Sequence, residues 1–347
     1  MIPYTNSEIE FQLNTEIGEE GRNSQVFIAH DNQLDAELVI KRIDRSTFAN
    51  EDEYFQEASI LYKSSHPYVV PIQYASKDEN YIYIALPYYP NGSLKRIMNE
   101  KFLTLREILR YSSHFLSGLH NIHSKGLIHF DIKPDNILIS RRDEAILSDF
   151  GLAKHTCEDG LAEQECVYVK QVPPERLDTT SFTNSFDIYQ VGLTLYRMCN
   201  GDEEFDNQFN SFMENGQLKE IDFINAVRRE RFPNRNKFPE HITKTIKNII
   251  KKCLKINPDD RYNTIIDLIN DLSNFSDENY FDWQFEQNPT YKKWIKNIEG
   301  KQICLILNED GSTIAKTINE VGVERSIASY TKASISIREL NNFFKEK

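Results

Sequence analysis

The sequence predicts an α+β protein in which a β-rich lobe precedes an α-rich lobe and a small α/β extension. Residues 9–88 consist mostly of short segments rich in β-branched and aromatic residues, which is typical of strands. Residues 89–275 instead contain long stretches in which apolar residues recur at helical spacing. Residues 276–347 begin with a cluster of aromatic residues and continue with a second strand pattern. We therefore expect a two-lobed domain over residues 1–275 and a separate extension of unknown role.

Each predicted element of the two lobes has a local justification. The strand-like segments read EIEFQLNTEIG, SQVFIAH, AELVIKRI and YIYIALPYY. Between them lies one helical stretch, NEDEYFQEASILYKS. Its Tyr54, Ala58 and Leu61 share a face at spacings of four and three residues. In the second lobe, two helical stretches end at a glycine suited to a helix C-cap, and they read LREILRYSSHFLSGLHNIHSKG and FDIYQVGLTLYRMCNG.

The extension predicts an aromatic connector, a hairpin and a short helix. The hairpin reads KQICLILNEDGSTIAKTI with NEDG as its turn, and the helix reads IRELNNFFKEK. The connector reads SDENYFDWQFEQNPTYKKW. Burial of aromatic surface is worth about 25 cal/mol per Å², so we expect the connector to pack against the two lobes. Its aromatic residues are Tyr280, Phe281, Trp283, Phe285, Tyr291 and Trp294.

The composition is that of a globular protein without generic affinity for nucleic acid or acidic membranes. The 347 residues carry a formal net charge of −12, and 27% of them are charged. No apolar run approaches the roughly 18 residues of a membrane span, and the first residues lack the pattern of a signal peptide. The five cysteines are scattered without a CxxC pair, which favours neither a zinc site nor a disulfide framework. We therefore expect a cytoplasmic protein.

A dense polar segment gives the first functional signal. Residues 127–140 read LIHFDIKPDNILIS, in which two apolar runs bracket Asp131, Lys133 and Asn136. A carboxylate that accepts a hydroxyl proton, a lysine and an amide oxygen suit a site for phosphate and Mg²⁺. Further along, the segment LSDFGLAK adds the carboxylate of Asp149. Either segment alone is a weak signal, but the two at hairpin spacing are a strong one.

These segments resemble the catalytic loop and the metal-binding segment of the eukaryotic-type protein kinase family. The resemblance implies a bilobal protein-kinase-like fold with an N-lobe at about residues 9–88 and a C-lobe at about residues 89–275. It also implies ATP as cofactor with Mg²⁺, or with Mn²⁺ in its place, and a protein as substrate. Further positions match the family in order, and they are Lys41, Glu57, Glu175, Asp187 and Arg261.

The resemblance assigns roles residue by residue. Glu57 competes with Glu51 and Glu53 as the partner of Lys41, and Glu57 is favoured because it precedes the apolar ASIL face. Lys133 resembles the serine/threonine-directed branch of the family, while Glu175, Asp187 and Arg261 resemble its structural scaffold. The catalytic residues implied are Asp131, Lys133, Lys41 and Glu57, and the metal ligands implied are Asn136 and Asp149.

The predicted nucleotide-binding loop departs from the family pattern. It reads EIGEEGRNSQVFIA, and the three expected glycine positions fall on Glu19, Gly21 and Ser24. Gly18 lies one residue early, and Val26 follows the loop. Gly21 remains where the backbone must approach a phosphate. A glutamate pointing toward phosphates would weaken their binding, so we expect modest nucleotide affinity.

The segment between the lobes, ALPYYPNGSL, is expected to contact the adenine ring. Leu86 resembles the residue at the back of the adenine pocket. Pro87 has no N–H group, but it keeps the carbonyl that the adenine amino group requires, and Tyr89 offers an N–H. The predicted cofactor-binding residues are therefore Gly18, Gly21, Ser24, Val26, Lys41, Leu86, Pro87, Tyr89, Asn136 and Asp149.

Phe130 stands beside Asp131, where the family commonly has an arginine. That arginine pairs with a phosphorylated residue of the activation segment, and an aromatic side chain cannot form such a pair. We therefore expect activity that does not require phosphorylation of Thr156 or Tyr168 in this segment. Control by the tail or by a partner would then replace it.

Two sequence features, Lys133 and the end of the activation segment, favour different types of substrate hydroxyl group. The ending VKQVPPE partly resembles the tyrosine-directed branch, and Tyr168 stands where a threonine is common in the serine/threonine branch. Lys133 carries more weight because it acts at the reacting hydroxyl. A serine/threonine-directed kinase is therefore favoured, with dual specificity left open.

A basic run offers a second surface. The run contains ten basic residues, and its acidic residues are Glu230 and Glu240. This excess of positive charge suits binding of an acidic partner or, more simply, a solvated helix face. Two further functions stay open beside the kinase, namely a catalytically weak kinase-fold scaffold acting through its tail or basic patch, and a kinase directed at small molecules or RNA. The basic residues are Arg228, Arg229, Arg231, Arg235, Lys237, Lys244, Lys247, Lys251, Lys252 and Lys255.

Overall fold

A computed structural model describes residues 7–17, 24–48, 50, 53–166 and 168–347. The first lobe is a five-stranded antiparallel sheet of order β1-β2-β3-β5-β4. One helix, α1, packs against it and buries Ala58, Ile60 and Leu61. The elements are β1 (Phe11–Glu16), β2 (Ser24–Asp31), β3 (Ala36–Asp44), α1 (Gln56–Lys63), β4 (Tyr74–Lys77) and β5 (Tyr81–Pro87).

The second lobe is built around one helix that is buried on all sides. From Phe186 to Asn200 every residue of this helix, α4, is buried. The glycines that follow the two predicted helices both have positive φ, 68° at Gly126 and 82° at Gly201, as the capping prediction requires. The helices are α2 (Leu94–Glu100), α3 (Leu105–Ser124), α4 (Ser185–Asn200), α5 (Asp202–Asn210), α6 (Glu220–Arg228), α7 (Lys244–Cys253) and α8 (Ile265–Ser273).

Short strands connect the helices of the second lobe and form the part of its surface that carries the polar segments. Three antiparallel pairs lie around the polar segments that the sequence singled out, β6 with β9, β7 with β8 and β10 with β11. A fourth pair joins β12 and β13. The strands are β6 (Leu127–Ile128), β7 (Ile137–Ile139), β8 (Ala145–Leu147), β9 (Lys154–His155), β10 (Ala162–Glu163), β11 (Ser181–Phe182), β12 (Met213–Glu214) and β13 (Gln217–Leu218).

The extension, which we call the tail, is a second five-stranded antiparallel sheet with one helix on a face. β16 and β17 form the predicted hairpin, and the predicted terminal helix is α9. The connector prediction was incomplete, because much of residues 276–294 belongs to β14 and β15. The elements are β14 (Gln284–Gln287), β15 (Tyr291–Ile298), β16 (Lys301–Asn308), β17 (Thr313–Asn319), β18 (Glu324–Ser326) and α9 (Ile337–Glu346).

The tail is packed against the second lobe, as expected for an aromatic connector. The ring of Phe285 meets that of Phe102 with centroids 4.7 Å apart. Arg106 forms two hydrogen bonds of 2.7 and 2.9 Å with the carboxylate of Asp282. Tyr280 and Phe281 of the predicted connector pack against the large hydrophobic core that the two lobes share.

Two further features concern the helices and the cysteines. Among the helices that the structure describes, none has the length and apolar character needed to cross a lipid bilayer. The five cysteines are free, Cys157 and Cys166 being exposed and Cys199, Cys253 and Cys304 buried.

Candidate active site

Three charged side chains from three elements meet at the opening between the lobes. Nζ of Lys41, on β3, lies 2.8 and 2.9 Å from the two carboxylate oxygens of Glu57, on α1. It also lies 3.2 Å from Oδ1 of Asp149. The choice of Glu57 over its neighbours as the partner of Lys41 therefore agrees with the geometry.

The charges of this triad shift one another's ionisation. Burial alone would lower the pKa of Lys41, but the carboxylates of Asp149 and Glu57 outweigh it, so that this pKa is raised. The ammonium of Lys41 in turn lowers the pKa of Asp149 to about 2. Lys41 and Asp149 are therefore both charged at neutral pH.

Gly151 allows the triad to close. A Cβ atom built on Gly151 would lie 3.3 Å from Nζ of Lys41 and 3.4 Å from Oδ1 of Asp149. Any side chain at this position would crowd the ion pairs. A side chain in place of Gly151 would therefore require Nζ of Lys41 to shift by a few tenths of an ångström.

Asp131 has one carboxylate oxygen engaged and one free. Its Oδ2 accepts hydrogen bonds from Nζ of Lys133 at 2.9 Å and from Nδ2 of Asn136 at 2.7 Å. Its Oδ1 is buried and, among the residues that the structure describes, has no hydrogen-bond partner. A buried carboxylate oxygen without a donor is costly, because the desolvated charge is not compensated. A proton donor from outside the chain would satisfy it.

The backbone around Asp131 is held in a strained shape by α4. Phe130 has a φ of 66°, which is rare for a bulky residue. The carboxylate of Asp187 accepts hydrogen bonds of 2.8 Å from the backbone N–H groups of His129 and Phe130. Asp187 is fully buried and also contacts His123 at 2.8 Å. These bonds offset the strain and fix the direction in which Asp131 leaves the chain.

His129 connects the loop of Asp131 to the segment of Asp149. Its Nδ1 accepts from the backbone N–H of Asp131 at 3.3 Å, and its Nε2 lies 3.1 Å from the carbonyl oxygen of Ser148. Burial lowers the pKa of His129, which keeps the imidazole neutral and suits one donated and one accepted bond. Its ring packs edge-on against Phe150. The two polar segments therefore form one rigid unit.

The predicted nucleotide-contacting residues that the structure describes lie on β2, at the end of β5 and in the segment that follows β5. Val26 on β2 lies directly across the ladder from Lys41 on β3, and Ser24 begins the same strand. Leu86 and Pro87 end β5, and the carbonyl of Tyr89 accepts a bond from the N–H of Gly92. Gly18 and Gly21 lie outside the described residues.

The donor set fits a divalent cation and a phosphorylated ligand. The amide nitrogen of Asn136 donates to Asp131, which leaves the amide oxygen of Asn136 available as a ligand atom in addition to the carboxylate of Asp149. Hard oxygen ligands of this kind suit Mg²⁺ and Mn²⁺. Among the described residues no cluster of three or more histidine, cysteine or acidic side chains could hold a metal by itself. Proteins commonly bind Mg²⁺ through one or two carboxylates together with water and the phosphate oxygens of a ligand.

The activation segment is anchored by an aromatic cluster. Phe130 is fully buried and packs edge-on against Phe182 and Phe186, with ring centroids 6.0 and 4.9 Å apart. Ala162 of β10 joins this cluster, and β10 pairs with the strand that carries Phe182. The position beside Asp131 therefore holds the segment by apolar contact.

A buried ion pair braces the end of the same segment. The guanidinium of Arg261 forms bonds of 2.7 and 2.6 Å with the carboxylate of Glu175. Arg261 also donates to the backbone carbonyls of Lys255, Ser185 and Ile256. The scaffold pairing expected from the sequence is therefore formed.

Much of the basic run is engaged within the chain. Arg228 pairs with Asp178, Arg235 with Glu230, and Lys237 with Glu204. Lys247 and Lys252 lie over the rings of Phe238 and Tyr262. These contacts reduce the positive charge that the run offers to a partner.

Sequence reasoning missed two residues of the site. Gln190 of α4 donates to the carbonyl of Phe130 at 3.0 Å and accepts from the N–H of Ile132 at 2.9 Å. It stands three residues after Asp187, so that helical spacing places both on the face toward the loop. Tyr168 was noted as a phosphorylation candidate and as the residue in place of a common threonine, but its contact with Lys133 was not predicted; its ring lies over Lys133, with 4.4 Å between Nζ and the ring centroid.

Comparison with known proteins agrees with this geometry. The sequence model of the protein kinase domain matches residues 11–272, and the chain belongs to the protein kinase family. The probable serine/threonine-protein kinase PknB of Lactococcus lactis is 30% identical over 203 residues, which cover 56% of this chain and 32% of that protein. The probable serine/threonine-protein kinase samkA of Dictyostelium discoideum is 32% identical over 211 residues, covering 59% of this chain and 30% of that protein.

A more extensive match reaches a third relative. The serine/threonine-protein kinase PknD of Protochlamydia amoebophila is 24% identical over 328 residues, which cover 80% of this chain and 32% of that protein. Each of these matches covers less than a third of the relative's own length, since the shares are 32, 30 and 32%.

Proposed function

We propose that this protein kinase transfers the γ-phosphoryl group of ATP to serine or threonine hydroxyls of a protein substrate. The observation that carries the proposal is the buried Oδ1 of Asp131, which has no hydrogen-bond partner within the described part of the chain, beside an Oδ2 that is fixed by Lys133 and Asn136. A carboxylate held in this way has one oxygen directed at an incoming hydroxyl and loses no rotational freedom when it accepts the proton.

In this proposal each side chain has one physical task. Asp131 accepts the hydroxyl proton at Oδ1, and Lys133 places positive charge beside the acceptor. Lys41, held by Glu57, binds phosphate oxygens. Asn136 and Asp149 would hold Mg²⁺ or Mn²⁺, which neutralises phosphate charge when bound. Catalysis is then mainly a matter of position and charge.

The nucleotide would lie between the two lobes. Val26 and Leu86 provide apolar surface for the adenine ring, while the carbonyl of Pro87 and the N–H of Tyr89 provide its polar contacts. A contact of Gly18 and Gly21 with the phosphates stays a prediction from the sequence, since both residues lie outside the described part of the chain.

The choice of serine or threonine rests on Lys133 and on the similarity of the chain to serine/threonine-protein kinases. The experiment that tests it uses the full chain with radiolabelled ATP, Mg²⁺ and a mixture of peptides, followed by phosphoamino acid analysis of the product. Asp131→Asn is the comparison, because it keeps the shape of the side chain and removes the base. Incorporation by the wild type alone, on serine or threonine, supports the proposal.

Equal incorporation by the wild type and Asp131→Asn would refute the role of Asp131. No incorporation by either protein, with nucleotide still bound, would favour the scaffold function. Label found only on a small molecule or RNA would refute a protein substrate. A cytoplasmic site of action and an acidic partner at residues 228–255 remain predictions from the sequence.

We further propose that the kinase does not need phosphorylation of its activation segment. The support is the apolar anchor formed by Phe130, Phe182 and Phe186, which occupies the place of an arginine–phosphate pair. Treatment of the purified protein with phosphatase, confirmed by mass spectrometry, should leave its turnover within about twofold of the untreated protein. Loss of turnover that returns after rephosphorylation would refute the proposal.

A further inference from the structure

Lys133 is enclosed by two different groups, and only one of them is a hydrogen-bond acceptor. Its ammonium lies 2.9 Å from Oδ2 of Asp131 and 4.4 Å from the ring centroid of Tyr168. The Lys133 side chain is only 14% exposed, whereas Tyr168 is 54% exposed. The ring therefore covers the solvent side of the ammonium and leaves its own outer face in water. A cation in this position is attracted by the negative face of the ring.

The position of Tyr168 over Lys133 is fixed by the same residue that fixes the catalytic loop. The backbone carbonyl of Tyr168 accepts a 2.9 Å bond from the N–H of Gln171, which is buried. The carbonyl of Gln171 accepts from Nε2 of Gln190 at 3.4 Å. Gln190 also bonds to Phe130 and Ile132 on either side of Asp131. The buried side-chain amide of Gln190 on α4 therefore connects the segment that carries Tyr168 to the loop that carries Asp131.

We propose that Tyr168 is a positioning residue for phosphoryl transfer, because its ring holds the ammonium of Lys133 against Asp131. Without the ring, water reaches Lys133 and competes with Oδ2 for its protons. Asn136 would then be the remaining side chain that orients the carboxylate, and Oδ1 would be less well directed. This inference rests on the proposed function of Asp131 and Lys133, and it extends that function to a residue of the activation segment.

The test compares Tyr168→Leu with Tyr168→Phe in the full chain, with peptide and ATP both varied. Leucine removes the aromatic face, and phenylalanine keeps it without the hydroxyl. Tyr168→Leu should lower kcat about three- to tenfold and leave the KM for ATP unchanged, while Tyr168→Phe should stay near the wild type. Val169→Thr, at the neighbouring exposed residue, is the isosteric control.

A double-mutant cycle with Lys133→Ala separates positioning from other effects. If Tyr168 acts through Lys133, Tyr168→Leu should cause no further loss of kcat in the Lys133→Ala protein. Single-turnover measurement at high enzyme concentration keeps this slow variant measurable. An undiminished loss in that background, an unchanged kcat for Tyr168→Leu, or an equal loss for Tyr168→Phe would each overturn the inference.

The design distinguishes this inference from the function on which it rests. A wild-type rate in Lys133→Ala would refute the role proposed for Lys133 itself. A strong loss in Lys133→Ala with no loss in Tyr168→Leu would refute only the positioning role of Tyr168. Thermal unfolding of each variant is recorded, and Tyr168→Phe provides a result that does not depend on the stability of the leucine variant.

Discussion

The chain contains two five-stranded antiparallel sheets with one helix against a face, and the two differ in what lies between sheet and helix. In the first lobe, the ion pair of Lys41 and Glu57 joins β3 to α1, while Ala58, Ile60 and Leu61 of α1 belong to a core that continues into the second lobe. In the tail, the space under α9 is filled by aromatic rings. The largest fully buried ones are Trp283, Phe285, Trp294, Phe343 and Phe344.

The difference indicates what each sheet is for. A charged pair between sheet and helix contributes little net stability, because desolvation offsets much of the Coulomb attraction. It does place an ammonium at the opening between the lobes. Stacked and edge-on aromatic rings bury a large apolar area and leave no group for a ligand. The first sheet therefore holds a site at the expense of stability, and the tail sheet is built for stability.

The largest expected effect concerns Lys41. Lys41→Met should lower kcat/KM by about a thousandfold, because it removes the cation that faces the phosphates. Tail stability should not change. The radiolabelled assay measures the rate, and Arg42→Met is the matched control, since the guanidinium of Arg42 lies between the rings of Phe27 and Tyr81. A Lys41→Met rate within about tenfold of the wild type would contradict the assignment.

The second effect concerns the tail core. Phe344→Ala should lower the free energy of unfolding of the tail by about 3 kcal/mol, because it leaves a cavity among buried rings. Both tryptophans of the chain, Trp283 and Trp294, lie in this core, so that tryptophan fluorescence during urea unfolding reports on the tail. Ile337→Ala is the control, since this α9 residue is 75% exposed. Equal midpoints for the two variants would show that α9 is not part of the core.

The third effect is a pH dependence at the contact between tail and second lobe. Nδ1 of His241 accepts a 2.9 Å bond from the indole N–H of Trp294. Burial, and then the charge of Lys247, lowers the pKa of His241 from 6.5 to about 3. Below pH 6.5, His241 binds a proton in the unfolded chain but remains neutral in the folded chain. Stability is therefore full above pH 6.5 and falls as pH decreases toward 3, by at most about 1.4 kcal/mol per pH unit.

His241→Asn isolates this contribution. The asparagine oxygen takes the place of Nδ1 as acceptor and does not titrate in this range. Tryptophan-monitored unfolding of both proteins between pH 7 and pH 5 should show a steeper loss in the wild type. Parallel curves would mean that His241 is protonated or solvated in the folded protein.

The smallest effect concerns the ion pair between Arg106 and Asp282. Their side chains are 55% and 41% exposed, so that water screens the pair in spite of its two-bond geometry. A double-mutant cycle of Arg106→Ala and Asp282→Ala should give a coupling energy of less than about 1 kcal/mol in tail unfolding. A coupling energy near that of Phe344→Ala would mean that charges, and not rings, attach the tail.

The sequence predicted the two lobes and the polar site well, because spacing between chemically distinctive residues carries that information. Asp131, Asn136 and Asp149 are identified by their order, and the structure brings them together. The strands β14 and β15 were not predicted, since Lys296 faces the tail core and interrupts the apolar alternation. The contact of Tyr168 with Lys133 was also beyond reach, because thirty-five positions separate residues whose pairing depends on how the activation segment folds back.

The attachment of the tail determines which parts of the chain can move together. Within the described residues, its hydrogen bonds, ion pairs and ring contacts reach the second lobe, at Phe102, Arg106, Glu240 and His241. The first lobe is joined to the second by the linker after β5, by the contact of Lys41 with Asp149 and by the bridge between Val69 and Leu147. Any change in the angle between the two lobes would therefore move the tail together with the second lobe. The tail therefore enlarges the second lobe, and its described contacts do not bridge the cleft between the two lobes.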